Sequence, residues 1–167
     1  ASNADDETVT VTVTGETQNS IVLSHGVAQF DGTNDYIALG TPSQLAFGAN
    51  AFTVETWVKT NVTSNTRIDI VGLGKSGTNS EGAFLFIENG KLAFDTANGT
   101  DIVSASAVND QEWHHVALTR SGTTVKVYVD GILEKTGTET FTVPQASSNI
   151  GSPDGSSNLF KGQMAEF

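Results

Sequence analysis

The densest run of chemistry-bearing side chains is EWHHVALTRSGTTVKVYVDG, Glu112 to Gly131, where His114 and His115 stand beside Trp113 and a carboxylate. Two imidazoles next to an acid are the makings of a metal site or a proton relay, provided that the groups converge within hydrogen-bonding reach. Strand geometry sets the condition. If WHHVALT is extended, His114, Val116 and Leu118 point to one face and Trp113, His115, Ala117 and Thr119 to the other, so the two imidazoles diverge. With Arg120 to Thr123 as a four-residue loop, Thr119 faces Thr124, Leu118 faces Val125, Val116 faces Val127 and His114 faces Val129. His114 then belongs at the core margin, hydrogen-bonded to backbone. His115 lies opposite Tyr128 on the outward face, where a ligand could use both.

Hydrolytic chemistry makes other demands. Glycoside hydrolysis takes two carboxylates on one cleft surface, yet FTVETWVK carries only Glu55, and FLFIENGKL carries Glu88 beside a turn. No G-x-S-x-G elbow is present for a serine nucleophile. The sequence has no cysteine, which removes disulfides, thiolate metal sites and a cysteine nucleophile. The expectation is a chain that binds rather than reacts. A net charge of -11 with only eight Lys and Arg argues against nucleic acid and anionic membranes as partners. No apolar run reaches the roughly 20 residues that cross a bilayer.

The elements that must position these groups read as short antiparallel strands. AFTVETWVKT alternates, with Phe52, Val54, Thr56 and Val58 facing one way and Thr53, Glu55, Trp57 and Lys59 the other. GAFLFIENGKLAFD is apolar on both faces and is broken at Asn89-Gly90, a strong two-residue hairpin signal flanked by Glu88 and Lys91. KSGTNSEG, Lys75 to Gly82, is a loop without an apolar residue, and Gly151 to Asn158 is a Gly-rich loop near the end of the chain. Helical spacing is not sustained over three turns anywhere. The fold class is therefore all-β, two packed antiparallel sheets. Residues 1–18 form an N-terminal extension with one Val/Thr strand, Thr8 to Val13, and residues 19–167 form the sandwich domain.

Four segments in this order, FDGTNDYIAL, FTVETWVK, EWHHVALTRSGTTVKVYVDGILE and NIGSPDGSSNLFKGQ, resemble the laminin-G-like, pentraxin-like branch of the concanavalin A-like lectin and glucanase superfamily. The resemblance runs from Ala28 to Phe167 and implies a jelly-roll sandwich with one concave sheet. It also implies calcium, held between the loop after an early strand and a loop near the C-terminus. The matching positions are Asn79 and Glu81 in the first loop and Asp154 and Asn158 in the second, with Ser76, Thr78 and Ser156 as ligand-facing hydroxyls; calcium takes six to eight oxygens of these kinds. A second calcium position in related sandwiches would use Asp31 and Asp35, but Ala165 stands where relatives often have Asp, and the two aspartates then only cap a turn. Relatives run through a further closing strand beyond the position of Phe167. Either the sequence is truncated before that strand or the Val/Thr strand fills its place; the Val/Thr strand itself reads evenly as an edge strand of this domain or the last strand of a preceding repeat.

Together these readings lead to a non-catalytic, calcium-assisted carbohydrate-binding module for adhesion, part of a larger secreted or cell-surface bacterial protein with neighbouring β-domains. Its partner would be a glycan or another cell-surface ligand. The alternative is a structural or protein-interaction spacer without glycan binding.

Overall fold

The computed structural model describes residues 23–24, 26–63, 65–75, 81–96, 99 and 101–167. Thr8 to Val13, together with Ser76, Thr78 and Asn79, lies outside them. Among the described residues thirteen strands run in chain order: β1 Leu23–Ser24, β2 Val27–Asp31, β3 Ile37–Gly40, β4 Phe52–Lys59, β5 Ile68–Lys75, β6 Ala83–Glu88, β7 Lys91–Asp95, β8 Ile102–Ala107, β9 His114–Ser121, β10 Thr124–Val129, β11 Ile132–Thr138, β12 Ser147–Ile150 and β13 Lys161–Ala165. They form a seven-stranded sheet, β1-β2-β13-β4-β9-β10-β11, and a six-stranded sheet, β3-β12-β5-β6-β7-β8. Every pairing within them is antiparallel. The expected all-β sandwich is the observed fold.

Alternation explains which side chains fill the space between the sheets. From the seven-stranded sheet come Phe30, Val58, Val116, Leu118, Val125, Val127 and Met164; from the six-stranded sheet come Ile70, Leu85, Ile87, Leu92, Phe94 and Ile150, all buried in one cluster. The aromatic residues interlock edge to face, with Phe30 and Phe160 centroids 5.8 Å apart and Phe52 and Phe141 6.4 Å apart.

The hairpins follow their turn residues. Asn89 and Gly90 both have positive φ, 53° and 75°, and Asp130 and Gly131 do likewise, 51° and 77°, so both loops are of the twist-matched type I′. The hairpin from β9 to β10 departs from expectation. Its loop is Gly122-Thr123 alone, with φ +61° at Gly122, and Thr124 pairs with Ser121 instead of Thr119. Glycine at the first of two turn positions allows the tighter II′ loop, which slides every pair by two residues. A two-residue slide preserves faces. It changes partners, however: Tyr128 faces Ala117, while His115 pairs with Trp57 of β4.

Candidate binding surface

The strand registers assemble one continuous outward face on the seven-stranded sheet. Gln29 of β2, Gln163 of β13 and Lys59 of β4 lie side by side. The next row is Ala165, Trp57 and His115, and the row after it is Glu55, Ala117 and Tyr128. Trp57 is 37 % exposed although it is the largest side chain on its strand. Its ring meets the His115 imidazole at 5.3 Å, interplanar angle 64°, and His115 Nε2 stands 3.9 Å from Glu55 Oε2.

Beside this aromatic pair opens a hollow of about 380 Å³, lined by Gln29, Lys59, Asn61, Gln111, Lys161 and Gln163 among others. Its shape depends on backbone that only glycine tolerates: Gly162 has φ +142°, and a Cβ there would collide with the Lys59 carbonyl oxygen. Thr60 Oγ1 donates to the Lys161 carbonyl at 2.7 Å and Gln111 N donates to the Thr60 carbonyl at 3.0 Å, which ties the rim together. Gln29 Nε2 donates to the Gly162 carbonyl at 3.1 Å. Among the described residues no partner engages the carboxamides of Asn61, Gln111 and Gln163. A hollow holding four carboxamides, two ammonium groups and the Asp31 carboxylate offers donors and acceptors that suit vicinal hydroxyls.

These residues escaped the sequence reading, although a signal was present. Gln29 in VAQFD and Gln163 in KGQMA sit at outward positions of short apolar strands, and only the order β2-β13-β4 makes them neighbours. Of the residues expected to meet a ligand here, His115 joins this face through Trp57, and Tyr128 lies one row away rather than opposite it.

His114 takes a different role from the one expected. Its ring is bonded to carboxylates and not to backbone: Nδ1 lies 2.8 Å from Asp130 Oδ2 and Nε2 3.0 Å from Asp110 Oδ1. Asp130 also accepts from His115 N at 2.9 Å. The reason is the turn Asp130-Gly131, which brings a carboxylate back over the start of β9. Burial alone would lower the imidazole pKa, but Asp130 and Asp110 raise it above the ordinary histidine value. The pair of histidines therefore clamps a hairpin on one side and flanks a tryptophan on the other.

The residues assigned to calcium are distributed as follows. Asp154, Ser156 and Asn158 share the loop 151–158, which lies over the outer face of the six-stranded sheet; Gly72 leaves room for Pro153, whose Cα would stand 2.7 Å from a Cβ there. Asp154 accepts from Lys75 Nζ at 2.7 Å, Ser156 N at 2.9 Å, Ser156 Oγ at 3.0 Å, Ser157 N at 2.8 Å and Ser157 Oγ at 2.8 Å. Burial would raise its pKa, but Lys75 and the serine donors hold it well below the ordinary aspartate value. The Asn158 side chain bonds to Asp69. Glu81 is bridged to Thr142 and lines a second hollow with Arg120 and Phe141. Among the described residues no three metal-capable side chains cluster. At the early turn, Thr33 N donates to Asp31 Oδ1 at 2.7 Å and Asp31 N donates to Asp35 Oδ2 at 2.8 Å, so both aspartates cap it.

Comparison with known proteins places this geometry. A family described as the concanavalin A-like lectin/glucanases superfamily, Laminin_G_3, matches residues 31–167. No curated protein sequence matches. Among solved structures, mouse laminin alpha1 chain domains LG4-5 superpose with a TM-score of 0.67 at 18 % identity, covering 99 % of this chain and 46 % of that one. The botulinum neurotoxin serotype D binding domain gives 0.64 at 13 % identity over 90 % of this chain and 39 % of its own. The binding domain of Paraclostridial Mosquitocidal Protein 1 gives 0.67 at 14 %, over 92 % and 42 %. The chain thus spans less than half the length of each of these structures, and the likeness is one of fold.

Proposed function

The chain belongs to the concanavalin A-like lectin/glucanase superfamily, and from that premise we propose that it is a non-catalytic carbohydrate-binding module of a larger secreted or cell-surface bacterial protein. The observation that carries the reading is the carboxamide-lined hollow beside the exposed Trp57. Planar amides orient sugar hydroxyls, an aromatic face stacks on the apolar side of a pyranose, and shallow surfaces of this kind bind with modest affinity. Structural neighbours titled as binding domains are consistent with it, as is the seating of Asp69, Asp154 and His114 in internal bonds. Among the described residues no helix is long and apolar enough to cross a membrane. The division into residues 1–18 and a sandwich from 19 onward remains part of the proposal.

Calcium assistance at Glu81, Asp154 and Asn158 is supported by the family resemblance. As these residues stand they do not fit a cage: an ion at Asp154 would have to take the place of Lys75, and Asn158 is turned to Asp69. The sugar reading is therefore built without the ion. A second reading, protein interaction, is favoured by Ile132 and Leu133, 65 % and 48 % exposed on the edge strand β11.

A glycan array probed with and without chelator separates the readings. Binding that Trp57→Ala weakens strongly supports the module as proposed, and binding lost on chelation adds calcium to it. A folded protein that binds no glycan in either condition overturns the proposal and leaves the β11 edge as the surface to pursue.

A further inference from the structure

We infer that the sugar seated in the hollow is anionic, a uronate or a sulfate ester whose charge lies between Lys59 and Lys161; this rests on the carbohydrate-binding reading above. Positive charge is scarce in this chain. The chain carries eight Lys and Arg against nineteen Asp and Glu, so any cation left without a carboxylate stands in a field that should have supplied one. Four of the eight cations have neighbours that account for them. Arg67 pairs with Asp69 at 2.7 Å and reaches Asp95 at 3.5 Å, and Lys75 pairs with Asp154 at 2.7 Å. Arg120 is buried, with its guanidinium donating to the carbonyls of Gly122, Gly48 and Phe141. Lys91 faces Glu88 across its turn and lies in the field of Glu134.

Of the four remaining lysines, Lys126 and Lys135 stand apart on β10 and β11, without an ion pair among the described residues, whereas Lys59 and Lys161 come together. Among the described residues neither ammonium forms an ion pair or a hydrogen bond, yet both line the same hollow. Gln163 pairs with Lys59 across the strands, and Lys161 stands two residues before Gln163 on the same face. The two lysines are thus diagonal neighbours, with Cα atoms about 7–8 Å apart, a span that one carboxylate or sulfate can bridge with flexible ammonium groups on both sides. The acid facing Lys161 is Asp31, and it is engaged elsewhere, accepting from Thr33 N at 2.7 Å. The local sum is one net positive charge, from Lys59 and Lys161 against Asp31, which a single anion neutralises. The carboxamides of Gln29, Asn61, Gln111 and Gln163 then take the hydroxyls.

Affinities measured by calorimetry test the inference in matched pairs: polygalacturonate against its methyl ester, and a sulfated galactan against the same polymer desulfated. One charged polymer should bind about tenfold more tightly than its neutral counterpart, a ratio within reach of two exposed ion pairs, and the ratio should fall as sodium chloride is raised. Which pair shows it tells uronate from sulfate. Lys59→Gln with Lys161→Gln should erase the preference, while Lys135→Gln, on β11, should retain it. Equal affinity within both pairs overturns the anionic assignment and leaves the carbohydrate reading standing. A preference that survives the double substitution overturns the placement, and failure to bind any of the four polymers overturns the carbohydrate reading itself.

Discussion

The two sheets turn very different outer faces to solvent, although both carry charged and aromatic residues on apolar strands. On the six-stranded sheet Arg67, Asp69, Lys75 and Asp154 are spent on one another, while Asp95 Oδ1 and Asn149 Nδ2 stay buried without a hydrogen bond among the described residues. Asp69 is fully buried and receives Arg67 Nε at 2.8 Å and Nη2 at 2.7 Å, while the same guanidinium lies 3.7 Å over the Phe86 ring. Loop 151–158 closes over β5 and locks Asp154 to Lys75. On the seven-stranded sheet the lysines, carboxamides and Trp57 lie side by side with no such closure. Internal satisfaction marks a face built for stability; polar groups brought together and left unsatisfied mark a face built for a partner.

The sharpest way to break this contrast is at the satisfied face. Arg67→Ala leaves Asp69 buried without its counter-charge, and unfolding free energy measured in urea should fall by about 3–5 kcal/mol. A loss below about 1 kcal/mol would show that water already enters beneath Arg67 and that the two faces differ less than their geometry says. On the open face the loss should move from stability to binding. Trp57→Ala should weaken glycan binding about thirtyfold, the scale of a single interfacial anchor, while the melting temperature shifts little because the ring is partly exposed. Gly72→Ala should do the reverse: a methyl group pressed against Pro153 should cost roughly 1–2 kcal/mol of stability with glycan affinity unchanged in the same calorimetric assay.

How far the sequence foretold this contrast depends on the range of the signal. The inward and outward sets of β4, and the turn at Asn89-Gly90, are local and were legible from alternation and turn residues. The β9–β10 register was not, because Ser121, Gly122 and Thr123 are compatible with either loop length and only the II′ turn at Gly122 selects the shorter one. Nor was the hollow, since Gln29 and Gln163 are 134 positions apart and become neighbours through a strand order that no local pattern encodes. Asp154 is a further case of range: its loop reads locally as a run of oxygen donors, and the Lys75 ammonium that bonds it comes from a strand 79 positions away.

The histidine pair gives the finest test, because one member serves each region. His114 is held by Asp130 and Asp110, which raise its pKa above 6.5, its ordinary value. A group whose pKa is raised on folding contributes stability that is fully present below the unfolded value and is lost as pH rises through the folded one. The difference in unfolding free energy between the wild type and His114→Gln should therefore be largest near pH 6 and shrink toward pH 9. Its size should be about 0.5–1 kcal/mol, since both carboxylates are substantially exposed and solvent screens the pair. His115→Ala should act instead on glycan affinity, for its contacts are the Trp57 ring and a distant Glu55. If instead His115→Ala carries the pH-dependent loss and His114→Gln the loss of binding, the two imidazoles have exchanged faces, and the β9 register that separates clamp from ligand surface is wrong by one residue.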